Sequence, residues 1–138
     1  MRSLEVIGER WTLLVVREAF FGVRRFEAML ANIGCARNIL SARLASLVKQ
    51  GVMAKVAYGT EGQRARFEYR LTEKGHALYP VILSLKGWGD DWLSRGAKTP
   101  SLLVQHRDCG AAVTVHLHCT AGHHIRSARE TVPTVRGR

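Results

Sequence analysis

The sequence predicts a mainly helical α+β fold, and three stretches predict it. Residues 35–51, CARNILSARLASLVKQG, place Leu40, Leu44, Leu47 and Val48 at i, i+4, i+7 and i+8, one face of a 3.6-residue period. Residues 64–71, RARFEYRL, alternate with a period of two, the pattern of a half-buried strand. Residues 73–93 return to helical spacing, with Leu78, Ile82, Leu85, Trp88 and Trp92 recurring along one side. At 138 residues the chain can bury a small core of its own.

In chain order, residues 3–7 and 11–21 read as helices separated by Gly8, Glu9 and Arg10. The second carries Trp11, Leu13, Leu14, Val15, Val16, Phe20 and Phe21, apolar almost all round, which predicts a buried spine rather than a ligand site. Gly22 ends it. Residues 24–33, RRFEAMLANI, put Phe26, Met29, Leu30 and Ile33 on one face, and Gly34 closes this helix just before the next begins. Two short amphipathic helices joined through a glycine-containing turn form a helix-turn-helix signature.

The second helix of the pair is the candidate reader. Opposite its leucine face lie Arg37, Asn38, Ser41 and Ala45, with Arg43 and Lys49 to the sides, and Gly51 stops it. Short polar or basic side chains near a helix start can enter a DNA major groove; an ordinary basic surface helix is the alternative. After Gly51, VMAKVAY is strand-like, Tyr58 to Gln63 is a polar turn with two glycines, and residues 64–71 return. The alternation predicts Ala65, Phe67, Tyr69 and Leu71 inward, with Arg64, Arg66, Glu68 and Arg70 outward. Helix, turn, helix and basic hairpin make a winged helix-turn-helix. Arg43, Lys49, Arg64 and Arg66 suit phosphates, and Arg24 and Arg25 join the candidate DNA contacts.

Thr72 is the expected N-cap of the next helix, and Pro80 predicts a kink or fresh start near 78–80. Leu78, Ile82, Leu85, Trp88 and Trp92 lie outside the winged core, so pairing with a second copy through residues 72–94 is expected. Domains are therefore expected at 1–95, which includes this dimerisation helix, and at 96–138, a small β-hairpin extension. In the extension, residues 102–104 and 113–119 read as strands, and Gly110 and Gly122 mark turns. His106, Cys109, Cys119 and His123 (or His124) have ligand types suited to tetrahedral zinc, although the spacing departs from standard templates. An apolar hairpin with incidental polar residues is the other reading, so zinc is the sole cofactor considered.

Lys and Arg outnumber Asp and Glu 21 to 11, for a net charge of +10 and a pI near 10.4. Such a balance suggests a polyanionic partner. Between Gly22 and Arg70 nine basic residues face three acidic ones, so +6 of the +10 resides there. No run reaches membrane-span length and no signal-peptide core follows Met1, so a cytoplasmic protein without membrane partners is expected. Three cysteines make no disulfide framework. Cys35, beside the start of the reading helix and near Arg37, is a candidate redox sensor or a buried packing residue. No phosphate loop, His-Glu-x-x-His or nucleophile elbow is present, which argues against an enzyme. A basic RNA-binding or structural module is the rival reading, weakened because the aromatics line helices or alternate inward.

Three blocks, IGERWTLLVVREAFFGVRRFEAML, RNILSARLASLVKQGVM and FEYRLTEKGHALYPVILSLKGWGDDW, followed by HRDCG, resemble the HxlR-type winged helix-turn-helix regulators of bacteria. The resemblance spans about residues 3–119. It implies a dimeric repressor or activator that binds inverted-repeat operators and responds to oxidants, electrophiles or metabolites. The cysteine usual just upstream of the first helix in that family has no counterpart in Met1-Arg2-Ser3-Leu4: either the natural chain starts further upstream or this member does not sense through that thiol.

Overall fold

A computed structural model describes residues 2–93 and 102–135. Four helices come first: α1 (Ser3–Ile7), α2 (Arg10–Phe20), α3 (Phe26–Ile33) and α4 (Arg37–Lys49). Strands β1 (Met53–Tyr58) and β2 (Arg66–Leu71) follow, then α5 (Glu73–His76) and α6 (Tyr79–Leu93). Two short strands, β3 (Leu117–His118) and β4 (His124–Ile125), complete the mainly helical α+β architecture with its C-terminal hairpin extension. The chain forms two compact units, Met1–Ile82 and Leu83–Arg138. Residue 94, the expected end of the dimerisation helix, and residues 96–101 lie outside the described residues.

The core of the first unit joins Val15 and Val16 of α2, Met29 of α3, Leu40, Leu44 and Leu47 of α4, then Val52, Met53 and Ile82. α2 is its spine, as its composition predicts, but with two departures. Phe21 is exposed, whereas Glu18 is buried. The Glu18 carboxylate accepts from Arg17 Nη2 at 2.7 Å and from Asn32 Nδ2 at 2.8 Å, so its burial is compensated and it ties α2 to α3.

Gly34 ends α3 in the left-handed region at φ 70°, and its N–H donates to the Leu30 carbonyl at 2.9 Å. A residue with a Cβ is strained there, so this glycine makes the short α3–α4 turn possible. The far end of α4 is stitched down by the segment after the hairpin. Lys74 Nζ donates to the Gln50 carbonyl at 2.7 Å, Thr72 Oγ1 to the Gly51 carbonyl at 2.6 Å and the Thr72 N–H to the Val52 carbonyl at 3.1 Å. Thr72 also caps α5 by accepting from the Gly75 N–H at 3.2 Å.

β1 and β2 pair antiparallel, Met53 opposite Leu71 and Tyr58 opposite Arg66. The expected facing of this hairpin is corrected at its middle. Ala65 and Phe67, expected inward, are exposed, Phe67 at 45%, whereas Glu68 is only 9% exposed. The Tyr69 N–H donates to the Arg24 carbonyl at 2.8 Å, so the α2–α3 loop runs along the free edge of β2. Glu68 is ion-paired with Arg70, while Phe67 has Lys55 Nζ 4.5 Å from its ring centre. The residues Tyr69 and Leu71 remain packed against the core.

The expected break falls at Ala77 and Leu78, between α5 and α6, and Pro80 sits in the first turn of α6, where a missing N–H costs nothing. The Phe20 ring lies 4.8 Å from Tyr79. Ile82 is buried and Leu78 packs on the core, so these two of the five expected dimer residues serve their own chain. Leu85, Trp88 and Trp92 are exposed. The strands expected at 102–104 and 113–119 reduce to a single bridge, Gln105 to Ala112, and the β3–β4 pair. Gly110 and Gly122 do turn the chain, at φ 69° and 85°.

Gly75 marks the closest approach in the first unit: a Cβ there would meet the Val52 carbonyl oxygen at 2.2 Å and Leu71 Cδ2 at 2.9 Å. Gly75→Ala is expected to cost about 1–3 kcal/mol, the range for overpacking, and to lower Tm by at least about 4 °C. Gly87→Ala, with nothing within 4 Å of the added methyl, should leave Tm equal or higher. Equal melting of both variants and the parent refutes this close packing at Gly75.

Candidate nucleic-acid interface

The burial of Leu40, Leu44 and Leu47 leaves the rest of α4 to solvent in a defined stripe. Arg37, Asn38, Ser41, Ala42, Ala45 and Lys49 are all exposed. At about 100° per residue, Ser41, Ala45 and Lys49 fall within about 60° of Asn38 around the helix axis. The stripe is narrow, and its middle is small. A small-residue centre lets the helix axis approach a groove floor while Asn38 and Lys49 reach outward. Asn38 and Ser41 have no side-chain hydrogen bond among the described residues.

Arg37 and Arg43 differ from this expectation in instructive ways. Arg43 lies about 140° around the helix from Asn38. It is half-buried, with Nη1 3.6 Å from the Glu9 carboxylate, and anchors α4 to the start of α2. Arg37, the first residue of α4, is exposed but engaged at both ends of its guanidinium by Glu27 of α3. Nη1 donates to Oε1 at 2.7 Å and Nη2 to Oε2 at 2.9 Å. The guanidinium carbon also lies 5.3 Å from the Phe26 ring centre. The hydrogen bond from Arg37 holds the Glu27 carboxyl below the usual carboxylate range, with the guanidinium charge adding to it. Arg37 is correspondingly raised, first by the same hydrogen bond and then by the Glu27 charge. Sequence reading missed Glu27. The pair spans ten residues across a turn, so no helical i, i+4 spacing signals it.

The basic residues around the hairpin are exposed as expected. Arg66 is on β2 and Arg64 in the turn before it, while Arg24 and Arg25 precede α3. Arg25 stacks over the Tyr58 ring at 4.9 Å, linking the loop to the strand end. Lys55, beside Phe67, adds a cation to the hairpin that the expected set did not include.

Cys35 is half-buried and packs on the core. All three cysteines are free. In the extension, Cys109 Sγ lies 3.3 Å from His106 Nδ1 and Cys119 Sγ 3.5 Å from His123 Nδ1. His124 turns instead to His116, Nε2 to Nδ1 at 3.0 Å. The four expected zinc ligands are thus arranged in twos. Among the described residues no group of three or more His, Cys, Asp or Glu converges as a metal site. Nor, among those residues, is any helix long and apolar enough to cross a membrane.

Residues 6–97 match the family described as HxlR-like helix-turn-helix. The chain belongs to that family. It is 44% identical over 132 residues to the uncharacterized HTH-type transcriptional regulator Rv3095 of Mycobacterium tuberculosis, covering 96% of this chain and 82% of that protein. Among solved structures it is similar to PA1607, at 37% identity and a TM-score of 0.82, covering 96% of this chain and 91% of the other. It is also similar to the redox regulator HypR in its reduced form, at 27% identity and a TM-score of 0.59, over 68% and 90% of the two chains. As an HxlR-like protein the chain is a DNA-binding transcriptional regulator rather than an enzyme.

The depressed Glu27 fixes the sign of the pH dependence. The Arg37–Glu27 pair is intact at neutral pH and is lost as pH falls through the lowered Glu27 value. A carbon-detected NMR titration should show Glu27 protonating below the usual carboxylate range, and Arg37→Ala should return it to that range. A Glu27 that titrates in the usual carboxylate range in the unsubstituted protein refutes the pairing in solution.

Proposed function

We propose that this HxlR-like regulator binds an inverted-repeat operator as a homodimer, with α4 reading base edges and the hairpin gripping the backbone. The observation that carries this reading is the stripe of Arg37, Asn38, Ser41, Ala45 and Lys49, exposed along the full length of a helix whose opposite side is sealed by leucines. Asn38 has the donor and acceptor to engage adenine, and Arg37 the fork to engage guanine, each good bidentate contact discriminating by about 1–3 kcal/mol. Arg24, Arg64, Arg66 and Lys49 are exposed cations suited to phosphates, the arginines through a planar fork and the lysine as a point charge.

The partner of the dimer is a second copy of this chain. On α6, Leu85, Trp88 and Trp92 stay exposed, the two tryptophans at 56% and 65%, and Val81 and Leu93 extend the apolar surface. Two tryptophans on one short helix are costly to leave in water, and a two-fold axis would cover both copies at once. Half-sites would then be centred about 34–36 Å apart, or a multiple of that, on one face of the duplex. HypR is a redox regulator solved in reduced and oxidised forms, which supports an oxidant as the class of effector to test first.

Sedimentation should show a dimer at micromolar concentration, and Trp92→Glu or Leu85→Glu should yield folded monomers that bind a single half-site weakly. A parent protein that sediments as a monomer and binds half-sites alone overturns the dimer. For the interface, salt titrations on a selected operator and on random duplex separate the two roles. Asn38→Ala should relax preference at particular positions and leave random-duplex binding largely unchanged. Arg64→Ala or Arg66→Ala should weaken both, with the salt slope reduced in magnitude by about one for each phosphate left without its cation. Equal losses on both duplexes for Asn38→Ala and Arg66→Ala at every salt concentration would contradict this division of labour.

A further inference from the structure

Arg37 is the arginine at the head of the reading helix, yet its cation is not available as plain positive charge. Glu27 grips it through both terminal nitrogens, at 2.7 and 2.9 Å, and the guanidinium lies over the Phe26 ring. Both partners are exposed, with side chains 63% and 70% accessible, so the pair contributes little to folding. An end-on bidentate contact occupies one hydrogen on each terminal nitrogen and leaves Nε–H and the outer hydrogens unspent. It also places a carboxylate beside the groove-facing helix of a protein whose overall charge is +10. A carboxylate at such a position repels a polyanion unless a cation neutralises it.

We propose that Glu27 is the positioning and specificity-determining residue for Arg37. It holds the guanidinium plane in a fixed attitude at the start of α4, and it cancels the charge that would otherwise attract any phosphate. On random duplex the pair behaves as a neutral group, so Arg37 adds nothing to counterion release. On the right base, the remaining N–H groups complete a contact that a freely rotating arginine would have to freeze out first. Discrimination is gained from both sides: the wrong sequence is held less tightly, and the right one meets a side chain already in place. Phe26 contributes the second support, because a guanidinium stacked on a ring loses one more direction of movement.

This inference rests on α4 reading bases, and the experiment separates its failure from failure of that reading. Duplexes are selected from a random library with the unsubstituted protein, and binding to the best sequence and to random duplex is titrated with salt. E27Q, E27A, R37A and the double variant E27A/R37A are compared, with thermal melting as a check on folding. E27Q and E27A should bind random duplex more tightly, and the salt slope should steepen by about one as Arg37 gains a phosphate. Preference for the best sequence should fall about fivefold or more, the lower end of what one bidentate base contact discriminates. Library selection with E27A should lose information at the position that R37A also relaxes, and at no other. In the double variant, removal of Glu27 should have no further effect on specificity beyond that of R37A. Unchanged specificity and salt slope in E27Q and E27A, alongside a sequence-selective parent protein, overturn the role of Glu27 alone. A parent protein that selects no sequence overturns the base-reading assignment and this inference with it.

Discussion

Burial of Leu40, Leu44 and Leu47 is the constraint on which the arrangement depends. At about 1.5–3 kcal/mol for each fully buried leucine, the three together are worth roughly 5–9 kcal/mol. That is the scale of the whole net stability of a small domain, about 5–15 kcal/mol. It fixes the rotation of α4 about its own axis. A turn of one residue would lift a leucine into water and drive Asn38 or Ser41 toward the core, so the reading stripe inherits its direction from packing. The stitching of Gln50, Gly51 and Val52 to Thr72 and Lys74 then fixes the other end of the same helix. Neither end is left to the DNA to define.

Ion pairing sorts the basic residues of the first unit into two classes. Arg17, Arg37, Arg43 and Arg70 are matched by Glu18, Glu27, Glu9 and Glu68, and of these the Arg37 and Arg43 pairs join separate elements. Arg24, Arg64, Arg66 and Lys49 have no carboxylate partner among the described residues and supply the outward field. Net charge alone therefore misstates which residues attract a duplex. Arg43 illustrates the point: position in sequence places it beside the reading stripe, but its side chain is committed to Glu9.

The period of the leucines in α4 made the core and the reading face legible from sequence, because a helix with one sealed side has only one other. The helix ends were legible too, through Gly34, Gly51 and Thr72. The hairpin was less so. Strict alternation says that two faces differ but not which one is covered, and the covering element comes from Arg24, far away in sequence. Ile82 and Leu85 shared one apparent stripe, yet Ile82 reaches the core while Leu85 is exposed. Glu27 was invisible because its partner belongs to another helix. In the extension the His and Cys residues were recognisable as ligand types, but residue type does not say which side chains converge, and they meet in twos.

The bond from the Tyr69 N–H to the Arg24 carbonyl, with Arg25 over the Tyr58 ring, fastens the loop before α3 to the edge of β2. The hairpin is consequently not an independent flap. It is tied to the loop between α2 and α3. The hairpin edge and the entry to α3 therefore share one anchor, separate from the leucine seam that seats α4.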